Sequence, residues 1–169
     1  SALMLKPGGV HYGADIALII PIYAGESLLG FGISVTHWTE IGGKVLGSIS
    51  PDSTEIYQEG LQFPRLRLYS DGEINQAIVD IIEANVRLPL MSIGDLNAGV
   101  AAVRVADNRV REIAERYGVD ELQVAFDAIM DHGESMSRKA MMSVPDGVYS
   151  ATDFIDGDGI TENRIPIQV

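Results

Sequence analysis

The order of residue patterns along the chain predicts an α+β fold, in which a buried β-hairpin and further strands pack with a helical hairpin and one additional helix. Three observations carry this prediction. Two long runs of strand formers, Asp15 to Ala24 and Ser27 to Trp38, flank the short connection Gly25-Glu26 near the start of the chain. Three stretches with apolar residues at helical spacing then occupy the middle, and strand signals return only towards the end. Blocks of strands, helices and strands in that order argue against the alternating pattern of a parallel α/β sheet.

Both arms of the expected hairpin are apolar on both faces, so the hairpin is expected to be covered on both sides. A Gly-, Ser- and Pro-rich loop follows over 41–53, and Leu66 to Tyr69 gives a short strand before the turn residues Ser70-Asp71-Gly72. Ile74, Ala77, Ile78, Ile81 and Ile82 then line one face of a helix over 73–86, which stops before Pro89. Ser92 and Asp95 resemble a capping box that opens a longer helix, with Leu96, Val100, Val103, Val110, Ala114 and Tyr117 as its stripe and Gly118 as its stop. Asp120 with Gln123 opens a third helix in the same way. Leu122, Phe126, Ile129, Gly133, Met136 and Ala140 form its stripe until Pro145, and this stripe is expected to pack on the preceding helix. Strands are expected again at 147–155 and 165–169, around the turn residues Asp156-Gly157-Asp158-Gly159. Residues 1–169 read as one domain or part of one, truncated at both ends, because the last strand runs to Val169 and the first residues enter a glycine loop.

Composition narrows the chemistry. With 46% hydrophobic and 21% charged residues the chain is globular in type. No apolar run reaches the roughly 18 residues of a membrane span, and the start of the chain has no signal-peptide pattern, so the cytoplasm is the expected compartment. Twenty-four acidic against twelve basic residues give a net charge of −12, which repels phosphate backbones and anionic membranes and argues against nucleic acid as a partner. The absence of cysteine leaves only His, Asp and Glu side chains to hold a metal.

Several motifs drop out on inspection. Gly42-Gly43-Lys44 lacks the spacing and the following Ser or Thr of a phosphate-cradling loop, and Gly30-Phe31-Gly32 lacks the third glycine of a dinucleotide fingerprint. Asp156, Asp158 and Glu162 do not complete a calcium loop, and His132 is a lone helix histidine. His11, Asp15 and His37 are different. Asp15 and His37 lie symmetrically about the hairpin turn, which places them opposite or nearly opposite each other at its open end, with Cβ atoms on the order of 5 Å apart. His11 sits just upstream in the glycine-rich run Gly8-Gly9-Val10-His11-Tyr12-Gly13. Two imidazoles and a carboxylate match open catalytic Zn, Mn or Fe sites, while the pattern by itself leans towards a metal-free hydrogen-bonded His–Asp pair. Beyond His37 lies a carboxylate cluster of Glu40, Asp52, Glu55 and Glu59. Solvation accounts for most such carboxylates, but a partly buried one is suited to act as a general base, and Glu40 and Glu59 are the candidates.

The run His37-Trp38-Thr39-Glu40-Ile41-Gly42-Gly43-Lys44 and the stretch from Pro51 to Pro64 resemble the hydantoinase B/oxoprolinase family. Ala84-Asn85-Val86-Arg87-Leu88-Pro89, Gly94-Asp95-Leu96, Gly147-Val148-Tyr149 and Asp156-Gly157-Asp158-Gly159 extend that resemblance over nearly the whole chain. The resemblance implies a subunit of an ATP-dependent hydrolase of cyclic amides, of N-methylhydantoinase or 5-oxoprolinase type. Such a subunit works only with a hydantoinase A-type partner that uses the ATP, so a hetero-oligomer and a small cyclic amide or ketone substrate are expected. A subunit of an acetone- or acetophenone-type carboxylase is the alternative, and a non-catalytic docking fragment is a third. The resemblance also implies a divalent metal, Mn or Zn with Fe as a further option, on His11, Asp15 and His37. In the family the first His and the Asp are three apart, whereas His11 and Asp15 are four apart, and Glu40 stands where many relatives carry Asp.

Overall fold

The structure is a computed structural model that describes residues 4–7, 14–48, 50, 52–155 and 163–168. The chain divides into two compact units, Ser1–Val124 and Ala125–Val169. The fold is α+β.

The first unit is built on an antiparallel sheet. Strand β1 (Met4–Pro7) pairs with β2 (Asp15–Ala24), β2 pairs with β3 (Ser27–His37), and β4 (Leu66–Arg67) closes the other side, in the order β3-β2-β1-β4. The single strand expected at 66–69 is divided. Leu66–Arg67 joins this sheet, whereas β5 (Tyr69–Ser70) makes a separate small hairpin with β6 (Glu73–Ile74). Leu68, between them, is fully buried. Asp71 and Gly72 both take positive φ, the geometry that lets a two-residue hairpin turn follow the twist of its strands. That small hairpin takes the first residues assigned to the first helix, so α1 runs only over Gln76–Asn85.

Alternation along β2 sends Ile16, Leu18, Ile20 and Ile22 to one side of the sheet. Ile16, Leu18 and Ile20 form the main core with Ile78 and Ile82 of α1 and with Leu96, Val100 and Val103 of α2 (Pro89–Tyr117). Gly99 lets α2 approach closely, because a Cβ there would lie 2.6 Å from Leu18 Cδ1. The capping box expected at Ser92 is not the start of this helix. Pro89 opens α2 one turn earlier, where its missing N–H is no loss, and Ser92 lies within the first turns, fully buried. Tyr117, the last residue of the expected stripe, is exposed.

Cover on both faces of the hairpin does not hold for β3. Phe31, Ile33 and Val35, which alternate along the other face, are each 60% exposed. β3 is the edge of the sheet, and α2 packs on one face only. Periodicity shows that both faces are apolar, but it cannot tell which of them a neighbouring element covers.

Helix α3 (Val119–Met142) follows Gly118 directly, so Asp120 lies in its first turn and is not its cap. Leu122 packs in a second cluster with Ile22, Leu29 and Ala114. The rest of the expected stripe is not buried: Phe126 is 39% exposed, Ile129 66% and Met136 54%. The stripe is present in the sequence, but among the described residues only its first member finds cover. In the second unit, β7 (Thr152–Ile155) pairs with β8 (Ile165–Gln168), a shorter hairpin than the 147–155 and 165–169 segments suggested. The Asp156-Gly157-Asp158-Gly159 turn and Glu162 lie outside the described residues.

Candidate metal-binding pair and its buried support

The hairpin register sets the candidate site. At the turn Ala24 pairs with Ser27 and Tyr23 with Leu28, but Ile22 pairs with Gly30, so one extra residue is accommodated on β3. Every later pair is thereby shifted by one, and Asp15 falls directly opposite His37 at the open end. Asp15 Oδ1 and His37 Nδ1 are 2.9 Å apart, in a pair that is partly open to solvent. Just beyond it, the Trp38 N–H donates to the Ala14 carbonyl at 2.9 Å, which holds the two strand ends together past the pair. Trp38 itself is fully buried against Phe63, and its indole N–H has no hydrogen-bond partner among the described residues.

Donors bound to one divalent ion at about 2.0–2.2 Å lie roughly 3 Å apart, so the Asp15–His37 separation suits two ligands of a shared ion as well as a direct hydrogen bond. His11, the third expected ligand, lies outside the described residues. Among the described residues no third His, Asp or Glu joins the pair in a metal-binding group.

The two carboxylates expected to transfer protons are placed differently. Glu40 is fully buried. Its Oε1 accepts the Gly42 N–H at 2.7 Å and an Arg87 guanidinium N–H at 2.9 Å, and its Oε2 accepts the Arg87 backbone N–H at 2.7 Å. Glu59 ends a short 3-10 turn (Ile56–Glu59) and is partly buried. That segment runs beside the loop after His37: the Lys44 N–H donates to the Gln58 carbonyl, and the Leu61 N–H to the Ile41 carbonyl. Asp52 is exposed and accepts from the Lys44 ammonium at 2.6 Å. The hydrogen bond from Lys44, then that from Ser50, and then the charge of Lys44 lower its pKa from 3.8 to about 2.

Three participants gave no functional signal in the sequence. Arg87 meets Glu40 from 47 residues away, the Ser92 hydroxyl donates to the Glu40 carbonyl at 2.8 Å, and Asp95 accepts the Thr39 N–H at 2.9 Å. Ser92 and Asp95 looked like cap residues, and nothing in local spacing links them to a segment more than fifty residues earlier.

A hairpin that brings an imidazole and a carboxylate together at its mouth, followed by a buried carboxylate that a partly exposed guanidinium meets, defines an α+β unit with a candidate metal or acid–base site. The profile of the hydantoinase B/oxoprolinase family matches residues 6–169, and the chain belongs to that family. It is 37% identical over 150 residues to a protein from Pseudomonas sp. (strain NS671) assigned as the B component of a D-/L-hydantoinase, covering 88% of this chain and 25% of that protein. It is 32% identical over 157 residues to the beta chain of the Pseudomonas jessenii caprolactamase, covering 92% of this chain and 27% of that protein. The crystal structure of the ATP-dependent caprolactamase from the same organism superposes with a TM-score of 0.86 at 30% identity, over 99% of this chain and 30% of that one. A nucleotide-free acetone carboxylase shares the fold, with a TM-score of 0.82 at 17% identity over 99% of this chain and 24% of that one. The chain thus spans about a quarter of the length of the curated relatives it matches. Among the described residues no helix is long and apolar enough to cross a membrane.

Proposed function

We propose that this chain supplies the metal-binding part of a subunit of an ATP-dependent cyclic-amide hydrolase. The observation that carries the proposal is the hairpin register, which brings Asp15 and His37 to 2.9 Å in a chain of this family. Asp15, His37 and His11 would hold a divalent ion, Mn, Zn or Fe. Such an ion lowers the pKa of bound water or stabilises a developing oxyanion.

The residues contribute the rest. Asp15 Oδ1 and His37 Nδ1, 2.9 Å apart, would be the two facing ligand atoms. Glu59, partly buried beside the loop that follows His37, is the carboxylate assigned to proton transfer. Glu40 has both oxygens committed to N–H donors, so its contribution is to hold the backbone. ATP is consumed by a hydantoinase A-type partner in a hetero-oligomer, in keeping with the absence of a phosphate-cradling motif in this sequence.

The relatives favour hydrolysis over carboxylation. Those named for hydantoinase and caprolactamase are 37% and 32% identical, against 26% for an acetophenone carboxylase delta subunit from Aromatoleum aromaticum. The test is elemental analysis and ATP-dependent turnover of the full-length complex, with hydantoins, lactams, 5-oxoproline and ketones, with and without bicarbonate. Asp15→Ala and His37→Ala are expected to lose the metal and the activity, whereas Glu59→Gln is expected to keep the metal and lose turnover. Unchanged metal content in both ligand variants would refute the site. Turnover of ketones that requires bicarbonate would establish the carboxylase instead, and a complex without bound metal would leave this stretch a docking element.

A further inference from the structure

We propose that Glu40 is a positioning residue that fixes the presentation of His37 by locking the segment after it to the junction between α1 and α2. The proposal rests on the site assigned above, but it concerns a different set of contacts.

The segment that follows His37 has no regular structure, yet its backbone is almost fully tied down. The N–H groups of Trp38, Thr39, Ile41, Gly42, Gly43 and Lys44 all have acceptors. Four of these acceptor contacts go to side chains: Asp95 for Thr39, Ser48 for both Ile41 and Gly43, and Glu40 for Gly42. A loop held by side-chain acceptors depends on single residues in a way that a strand ladder does not.

Glu40 occupies the centre of this arrangement. Its side chain takes the Gly42 N–H on its own segment and both the backbone and the guanidinium of Arg87 on the other, while its carbonyl takes the Ser92 hydroxyl. The two segments also touch at Gly42, where a Cβ would lie 2.2 Å from the Asn85 carbonyl oxygen. Thr39 and Asp95 add a contact on the side nearer His37. Residues 39–42 are therefore gripped by 85–95 at both ends, immediately after the partly exposed Asp15–His37 pair.

Proton transfer is a poor use for such a carboxylate. Three N–H donors occupy three of the roughly four acceptor positions on its two oxygens, which leaves little of the group to meet a substrate. Truncating or neutralising it instead frees the backbone on which His37 is mounted.

The test measures His37 directly in the full-length protein. Carbethoxylation of histidines by diethylpyrocarbonate in the presence of a chelator, followed by mass spectrometry, gives the rate at His37 relative to His132, which is exposed on α3 and serves as the internal reference. Asp15→Asn calibrates loss of the pair. Glu40→Gln places an amide N–H₂ among N–H donors and is expected to raise the His37 to His132 ratio about tenfold, and to weaken binding of Mn²⁺ or Zn²⁺ added alone by about the same factor, as for other residues that orient a ligand from behind. Arg87→Met removes only the guanidinium and keeps the backbone contact, so a smaller shift in the same direction is expected, which also covers failure of the Glu40 variant to fold. An unchanged ratio in folded Glu40→Gln, or in Arg87→Met if the former does not fold, overturns the proposal even where stability falls. If the wild-type protein binds no divalent metal, the site assignment fails, but the carbethoxylation ratio still decides the positioning role.

Discussion

Asp15–His37 and Glu40–Arg87 are both pairs of a carboxylate with a basic side chain at 2.9 Å, and their partners on β3 and the following loop are three residues apart. They have little else in common. The Asp15 and His37 side chains are 24% and 40% exposed, whereas the Glu40 side chain is completely buried and accepts three hydrogen bonds. A pair that solvent reaches in this way contributes little to stability. A buried carboxylate ringed by donors is costly to disrupt and has no spare oxygen for chemistry. Under the proposed function, the first pair carries the chemistry and the second supports it.

The largest loss is expected at Glu40. Glu40→Ala leaves two backbone N–H groups and a guanidinium without their acceptor. A loss of about 3–5 kcal/mol is expected, towards the lower end because the Arg87 side chain is 47% exposed. Chemical denaturation measures this, and a midpoint within error of wild type would mean that water replaces the carboxylate at no cost. Gly42→Ala comes next. Gly42 has φ +81° and faces the Asn85 carbonyl, so the methyl group meets rigid backbone, and about 2–3 kcal/mol is expected from overpacking and strain.

At the open pair the outcome should invert. His37→Ala is expected to change stability by less than about 1 kcal/mol while abolishing metal binding, as read by thermal unfolding and metal analysis on the same preparation. A large stability loss there would make the pair structural. The smallest effect belongs to Lys44–Asp52, fully on the surface. The folded pKa of Asp52 is depressed from 3.8 to about 2, so its contribution is present above the unfolded value and disappears as pH falls through the window from 3.8 towards about 2. Lys44→Ala should return the Asp52 titration, followed by NMR, towards 3.8, and a titration that stays near 2 would shift the credit to Ser50.

The same contrast separates what was legible in the sequence from what was not. The strands at 15–24 and 27–37 and the near opposition of Asp15 and His37 followed from alternation and from the position of Gly25-Glu26, whereas the extra residue on β3 that puts the two directly opposite did not. The family too was legible, from motifs such as His37-Trp38-Thr39-Glu40-Ile41-Gly42-Gly43-Lys44. The exposure of Phe126 on α3 and of Phe31, Ile33 and Val35 on β3 was not, since an apolar stripe specifies a face that favours burial and leaves open what covers it.

Sequence by itself determined the α+β class, the hairpin and its turn, and the residue types available to the site, all of which depend on neighbours within a few positions or within one turn. Tertiary structure alone decided the surroundings of Glu40. Its side chain is defined by Arg87 and its carbonyl by Ser92, 47 and 52 residues away, and a carboxylate in a loop reads the same in the sequence whether it faces water or three N–H donors. Burial and hydrogen-bond partners are properties of segments brought together by the fold, and no local pattern encodes them.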